Sequence, residues 1–235
     1  DSISNFRKQN LLENKIAFII KDKMVYLPFM TTLLTDESCE ENTKNEKLAL
    51  TAQLLFIWIL YQDTNEYYIS EALATLHVSN MSLTRAYRQL CATKLFDEHK
   101  DGRKIYLTTH LNKIELFHQM KAYLQSPVQK QGYILKSDRN DYMIPAGEFV
   151  LSQYTFINPP KSETYAIDKV NSKLINIQKD YYSQEEQTKL QIWNYNPLLF
   201  SQDQKSIDKI SLIISLLDHI DERLEIETER LLENI

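Results

Sequence analysis

Ser82, Thr84, Arg85, Arg88 and Gln89 crowd one side of a helical stretch whose other side carries Leu83, Ala86, Tyr87 and Leu90. Hydroxyl, amide and guanidinium groups on one helix face can hydrogen-bond base edges and phosphate oxygens, and a major groove is wide enough to admit one helix. Arg85 and Arg88 are the chief candidate contacts, each able to pair with guanine or phosphate. Ser82, Thr84 and Gln89 would supply finer discrimination, and Ser79 and Asn80 would cap the helix and touch phosphate. Further on, Lys100, Arg103 and Lys104 surround a Lys100-Asp101-Gly102-Arg103 turn, where cations would meet phosphates or a minor groove. The chemistry these residues point to is recognition of double-stranded DNA.

Such residues need elements to position them. Leu48, Ala52, Leu55, Phe56, Ile59 and Leu60 recur at three-and-four spacing, which predicts a helix over Lys47–Gln62 with one buried face, ended by the polar break Asp63-Thr64-Asn65-Glu66. Ile69–Leu76 is a short second helix, and His77-Val78-Ser79 is a turn whose serine caps a third, the reading helix 80–92. Lys94–Glu98 and Lys104–Thr109 then read as a hairpin, with Asp101-Gly102 suited to the positive dihedrals of its tight turn, giving a wing over 95–109. Three elements in this order are more specific than a lone helix-turn-helix.

The run from Tyr68 to Thr109, YISEALATLHVSNMSLTRAYRQLCATKLFDEHKDGRKIYLTT, resembles the winged helix-turn-helix domain of MarR-type bacterial transcriptional regulators. The resemblance implies that Ser79–Gln89 lies in the major groove and Lys100–Lys104 in the wing. AGEFVLSQYTFINPP with TYAID, and LQIWNYNPLLF followed by IDKISLIISLLDHIDERLEIETERLLENI, resemble the C-terminal part of MarR-annotated regulators similar to AbiEi-type antitoxins, which lie beside nucleotidyltransferase-like proteins. The chain departs from the simple MarR pattern of a single domain flanked by dimerising helices. Neither the ligand pocket nor the dimer geometry of that pattern carries over.

Charge agrees with a one-sided approach to DNA. The 235 residues carry a formal net charge of −5, too acidic for a protein that coats nucleic acid. Between Ser79 and Thr109, however, six basic residues face three acidic ones, while acid gathers in Asp36–Glu46 and Asp218–Glu233. Cys39 and Cys91 cannot build a disulfide framework. Cys91 reads as a reduced structural thiol, with a redox sensor as the alternative. No stretch approaches the roughly 18 apolar residues that span a bilayer. Asp1-Ser2-Ile3-Ser4 does not resemble a secretory signal, so a cytoplasmic location and no membrane partner are expected; separately, the start on Asp1 suggests a trimmed chain.

Catalytic constellations are sparse. With only Gly102, Gly132 and Gly147 available, no glycine-rich phosphate loop can form, so no nucleotide cofactor is expected, and no other cofactor is called for. His77, His99, His110, His118 and His219 are scattered without a familiar metal spacing. Asp218, Asp221 and Glu222, with Arg223 alongside, read as caps and ion-pair partners rather than acid–base catalysts. Tyr181-Tyr182 and Trp193/Tyr195 could stack bases but read more readily as core. A non-enzyme is expected.

The organisation that follows is α+β: an N-terminal winged helix-turn-helix domain and a smaller-stranded α+β C-terminal domain. Residues 1–46 form a lead-in with a hairpin of Ile16–Ile20 and Met24–Leu27 turning at Lys21-Asp22-Lys23, residues 47–112 the DNA-binding domain, 113–126 a connecting helix, and 127–235 the C-terminal domain. Within the last, Gln131–Leu135, Tyr142–Pro145, Tyr165–Ile167 and Leu190–Tyr195 read as strands, the final one half-buried. Gly147–Tyr154 reads as a helix, and Ile207–Asn234 as two helices meeting near His219. The last helix mixes charge pairs with a thin apolar stripe, fitting either packing on its own domain or a homodimer or partner surface. The leading functional expectation is a sequence-specific regulator, a repressor by preference. The alternative is an antitoxin or protein-interaction module whose C-terminal domain holds a nucleotidyltransferase-like protein.

Overall fold

The computed structural model describes residues 16–20, 24–27, 32–35, 46–219 and 221–234, together with Leu11 and Asn14. The chain is α+β and divides into two compact units, residues 1–45 with 220–226 and residues 46–219 with 227–235.

In the first unit, β1 (Phe18–Ile20), β2 (Met24–Leu27) and β3 (Thr32–Thr35) form an antiparallel sheet in the order β1-β2-β3. The expected hairpin pairs Ile20 with Met24 and Phe18 with Tyr26, starting two residues later than its pattern suggests. β3, which pairs Leu34 with Val25, was not foreseen. The expected turn at 21–23 and the acidic linker over 36–45 lie outside the described residues.

The second unit opens with α1 (Leu50–Leu60), which begins and ends inside the expected Lys47–Gln62 because Ala49 is extended and offers no side-chain cap. Its expected single buried face is wrong: every residue from Ala52 to Leu60 is buried. Leu54, Ile57 and Trp58, off the expected stripe, make the helix apolar all round, and such a helix belongs in the middle of a core. Its one polar member in that run, Gln53, is fully buried and satisfied by a reciprocal pair of bonds. Gln53 Nε2 donates to the Gln125 carbonyl and the Gln125 amide donates to Gln53 Oε1, each at 2.9 Å.

Around α1 stand β4 (Tyr67–Tyr68), α2 (Ile69–Leu76), α3 (Asn80–Ala92), the hairpin β5 (Asp97–Asp101) and β6 (Lys104–Thr108), and α4 (Lys113–Met120). β4 adds to the hairpin to give a three-stranded sheet, β4-β6-β5. α4 is shorter than the periodicity over Leu111–Leu124 suggests. Asn112 and Glu115 form a capping box that starts it, and a 3-10 turn over Lys121–Tyr123 ends it.

The rest is a four-stranded sheet ordered β7-β10-β9-β8, from β7 (Val128–Leu135), β8 (Ile144–Pro145), β9 (Thr164–Asp168) and β10 (Gln187–Trp193). β10 runs antiparallel to β7 and parallel to β9. It was expected to be half-buried, but a central strand is covered on both faces, and Leu190, Gln191 and Trp193 are all buried. Ile134, Met143, Tyr165, Ile167 and Leu190 form the core of this sheet. α5 (Gly147–Tyr154) has its expected bounds, and α6 (Lys209–Leu216) and α7 (Glu222–Leu232) are the two expected terminal helices; residues from Glu227 onward belong to this unit. The expected domain boundaries at 112/113 and 126/127 fall inside it. Among the described residues, no helix is long and apolar enough to cross a membrane.

Candidate nucleic-acid interface

α3 has the bounds its pattern predicts, and its start explains why. Ser79 is extended and its Oγ accepts from the Ser82 amide at 3.1 Å, satisfying one of the orphan donors of the first turn; such a cap contributes about 1 kcal/mol. His77, left-handed at φ 51°, turns the chain between α2 and α3. Leu83, Ala86, Tyr87 and Leu90 are buried, so the helix presents its opposite face outward.

That face carries Asn80, Arg85 and Arg88, all exposed. Neither arginine has an ion-pair or hydrogen-bond partner among the described residues, so both guanidinium forks are free to bind. The other candidates are partly used by the fold. Ser82 Oγ lies 2.9 Å from Ser79 Oγ, and Thr84 Oγ1 donates back to the Asn80 carbonyl at 2.8 Å. Gln89 was expected to read bases, but its Oε1 accepts from the Ala49 amide at 2.9 Å. It serves the start of α1, which lacks a cap of its own, and its acceptor is therefore committed to the scaffold. Sequence reasoning also passed over Met81, two-thirds exposed at 66% and one helical turn before Arg85. The i, i+4, i+7 series Met81, Arg85, Arg88 was the available signal.

The hairpin differs from expectation at its tip. Asp101 pairs with Lys104, so the loop is the two residues Gly102 and Arg103, not Asp101-Gly102. Only Gly102, at φ 57°, takes the positive dihedral, as the first position of a type II′ turn requires. β5 starts at Asp97, later than expected, because Lys94 is left-handed at φ 62° and closes the end of α3 by donating its amide to Cys91 O. At the tip Arg103 is exposed and has no partner among the described residues. Lys100 lies 3.9 Å from Glu98 across exposed surface, a pair of little energetic weight. Lys104 Nζ sits 5.8 Å from the Tyr68 ring centroid. Tyr68, Tyr106 and His99 stack in succession with centroid separations of 5.2 and 5.1 Å, and His99 Nε2 bonds Thr108 Oγ1 at 2.9 Å. This aromatic ladder stiffens the β5–β6 hairpin and was missed because β4 is only two residues long.

The secondary candidates resolve into structural roles. Trp193 is fully buried and donates to Gln191, and Tyr195 donates to Ser211 at 2.8 Å. Tyr181 and Tyr182 differ from their expected core role: both are exposed, Tyr181 lying against Tyr133. Asp221 caps α7 by accepting from the Leu224 amide and lies 3.9 Å from Arg223. His118 pairs with Glu229 and His110 with Asp97. Cys91 is half-buried, and burial, then Glu98 and Asp97, push its thiol pKa up. That is the opposite of what a reactive thiolate needs. Comparison with protein families, curated proteins and solved structures gives no match for this chain.

Proposed function

We propose that residues 47–112 are a winged helix-turn-helix of the MarR type, and that the chain is a sequence-specific regulator of transcription that reads duplex DNA with α3 and steadies it with the β5–β6 wing. On this reading it acts by binding, not by catalysis. The observation that carries it is the pair of exposed guanidinium groups, Arg85 and Arg88, unpartnered among the described residues, on the outer face of a capped helix, with Arg103 equally so at the hairpin tip. Paired arginines on a surface are inert, whereas unpaired ones on one rigid face match phosphates and guanine edges. A net charge of −5 then keeps the rest of the molecule from binding DNA indiscriminately.

In this arrangement Ser79 and Asn80 lie nearest the backbone, Arg85 and Arg88 reach base edges, and Ser82 and Thr84 refine the contact. Lys100, Arg103 and Lys104 meet phosphate on the flank. Reading a two-fold site would take a homodimer.

The test is fluorescence anisotropy on the DNA upstream of the chain's own gene against random DNA, across a salt series, for wild type and the double variant Arg85→Ala, Arg88→Ala. Loss of each base contact should weaken specific binding by about 1–3 kcal/mol and abolish preference over random DNA. Arg103→Ala should weaken binding to every sequence alike and lower the salt slope by about one. Equal, weak binding of wild type and double variant to all DNA would sink the reading.

A further inference from the structure

Away from α3, a cavity of about 450 Å³ opens between the end of α1, the start of α4, the end of α5 and the loop leading into α6. Its size suits a small organic ligand. Asp208, which helps line it, is the N-cap of α6 and is only 8% exposed. One carboxyl oxygen is well served: Oδ1 accepts from the Tyr61 hydroxyl at 2.8 Å and from the Ser211 amide at 2.9 Å. The other, Oδ2, is buried with no hydrogen-bond partner among the described residues. Capping therefore accounts for half of this carboxyl and leaves the other half bare, which buried polar groups rarely tolerate.

The surroundings say what is lacking. The cavity's charged lining is three carboxyls, Asp63, Asp203 and Asp208, against two lysines. Both lysines are already engaged: Lys113 lies 3.4 Å from Asp63, and Lys209 Nζ donates to the Asn234 carbonyl at 2.8 Å. Asp203 is satisfied locally by the Lys205 and Ser206 amides. Among the three, Asp208 alone keeps a buried carboxyl oxygen with neither a cation nor a hydrogen bond among the described residues. Beside it, the Tyr61 and Phe200 rings stack at 6.1 Å, and both face the cavity's lining, giving an aromatic wall next to a buried carboxyl. Carboxylate and aromatic face together are the recognition chemistry of an organic ammonium ion.

We propose that this cavity binds a small aromatic amine in its protonated form, the ammonium group supplying the charge that Asp208 lacks and the ring lying along Tyr61 and Phe200. Oδ2 is buried, so binding requires the lining beside it to give way; in that lining the 201–206 segment bonds largely within itself, through Asp203 and Ser201, and, among the described residues, to α5 only through Ser206 and Tyr154. An anionic ligand would meet a net negative lining, and a neutral one would leave Oδ2 without a charge partner. The site stands apart from the proposed DNA-reading face and does not depend on that reading.

The experiment is isothermal titration of the full chain with three matched probes: phenethylammonium chloride, 2-phenylethanol and phenylacetate. Saturable binding is expected for the ammonium alone, with the neutral and anionic probes weaker by about tenfold or more, the scale of losing one buried charge contact. Asp208→Asn keeps the cap acceptor and the shape, and should weaken the ammonium by a similar factor, roughly tenfold. Should that variant fail to fold by circular dichroism, Phe200→Leu replaces it, expected to lower affinity about fivefold through the lost ring face. Equal binding of the three probes, no saturation by any, or unchanged affinity in whichever variant is used would overturn the proposal.

Discussion

Asp208 also sets a pH dependence that can be read without any ligand. Burial raises its carboxyl pKa above the ordinary value of 3.8, against the lowering effect of the Ser211 amide and hydroxyl and the Tyr61 hydroxyl. Around it, Tyr61 and Tyr195 are themselves raised, chiefly by burial, so both stay neutral donors. An acid harder to ionise folded than unfolded holds more protons in the native state. Its stabilising effect is therefore complete below 3.8 and is lost as pH climbs through the raised folded value. Urea unfolding followed from about pH 4 upward should show wild-type stability declining relative to Asp208→Asn, which has no proton to lose there. A parallel pair of curves would mean that Asp208 ionises as easily in the fold as outside it.

Glycine separates two kinds of element constraint. Gly132 on β7 lies against the 177–178 segment, whose Gln178 exchanges two backbone bonds of 2.8 Å with Tyr133. A Cβ there would stand 2.6 Å from the Gln178 carbonyl oxygen and nearer still to Ile177 Cγ2. Gly132→Ala should therefore cost about 1–3 kcal/mol by overpacking a backbone that cannot yield. Gly102→Ala meets nothing within 4 Å and carries only the strain of φ 57°, about 1–2 kcal/mol. Thermal melts of the two variants check both, and a Gly132→Ala melt at the wild-type temperature would show that the 177–178 segment moves aside freely.

Legibility in the sequence follows the same element logic. The bounds of α2, α3 and α5 were readable, and α3 carries its start signal locally in the Ser79 cap. β4 is two residues long and gains its identity only by pairing with Leu107 and Tyr106, so nothing local announces it. The outer arginines of α3 were readable because a helical wheel needs no tertiary knowledge. The diversion of Gln89 was not, because it answers an uncapped helix forty residues earlier. The Asp208 cavity was equally hidden, since Tyr61 and Asp208 are brought together across 147 positions.

At the scale of the whole molecule, residues 46–219 belong to one compact unit, and hydrogen bonds from Tyr61 to Asp208 and Ile210 cross the expected boundary at 126/127. α1 is buried on every side; its Gln53 bonds Gln125, and the residues flanking it, Leu48 and Tyr61, bond Tyr123 and Asp208. A DNA-reading module that folded alone would close its core before residue 127, yet the Tyr61 hydroxyl donates to Asp208 and accepts from the Ile210 amide. The chain's two tryptophans report on both sides of this junction, Trp58 within α1 and Trp193 on β10. Single-tryptophan variants, Trp193→Phe and Trp58→Phe, let fluorescence follow each side separately in urea. Each substitution lowers stability by its own amount, so each fluorescence midpoint is compared with the circular dichroism midpoint of the same variant. Because neither side can lose its core without stripping polar partners from the other, the two probes should coincide in both variants, as a two-state unit requires. A Trp58 transition well separated from its own circular dichroism curve would instead make the α1–α4 body an independent module, able to open while the β7–β10 sheet stays folded.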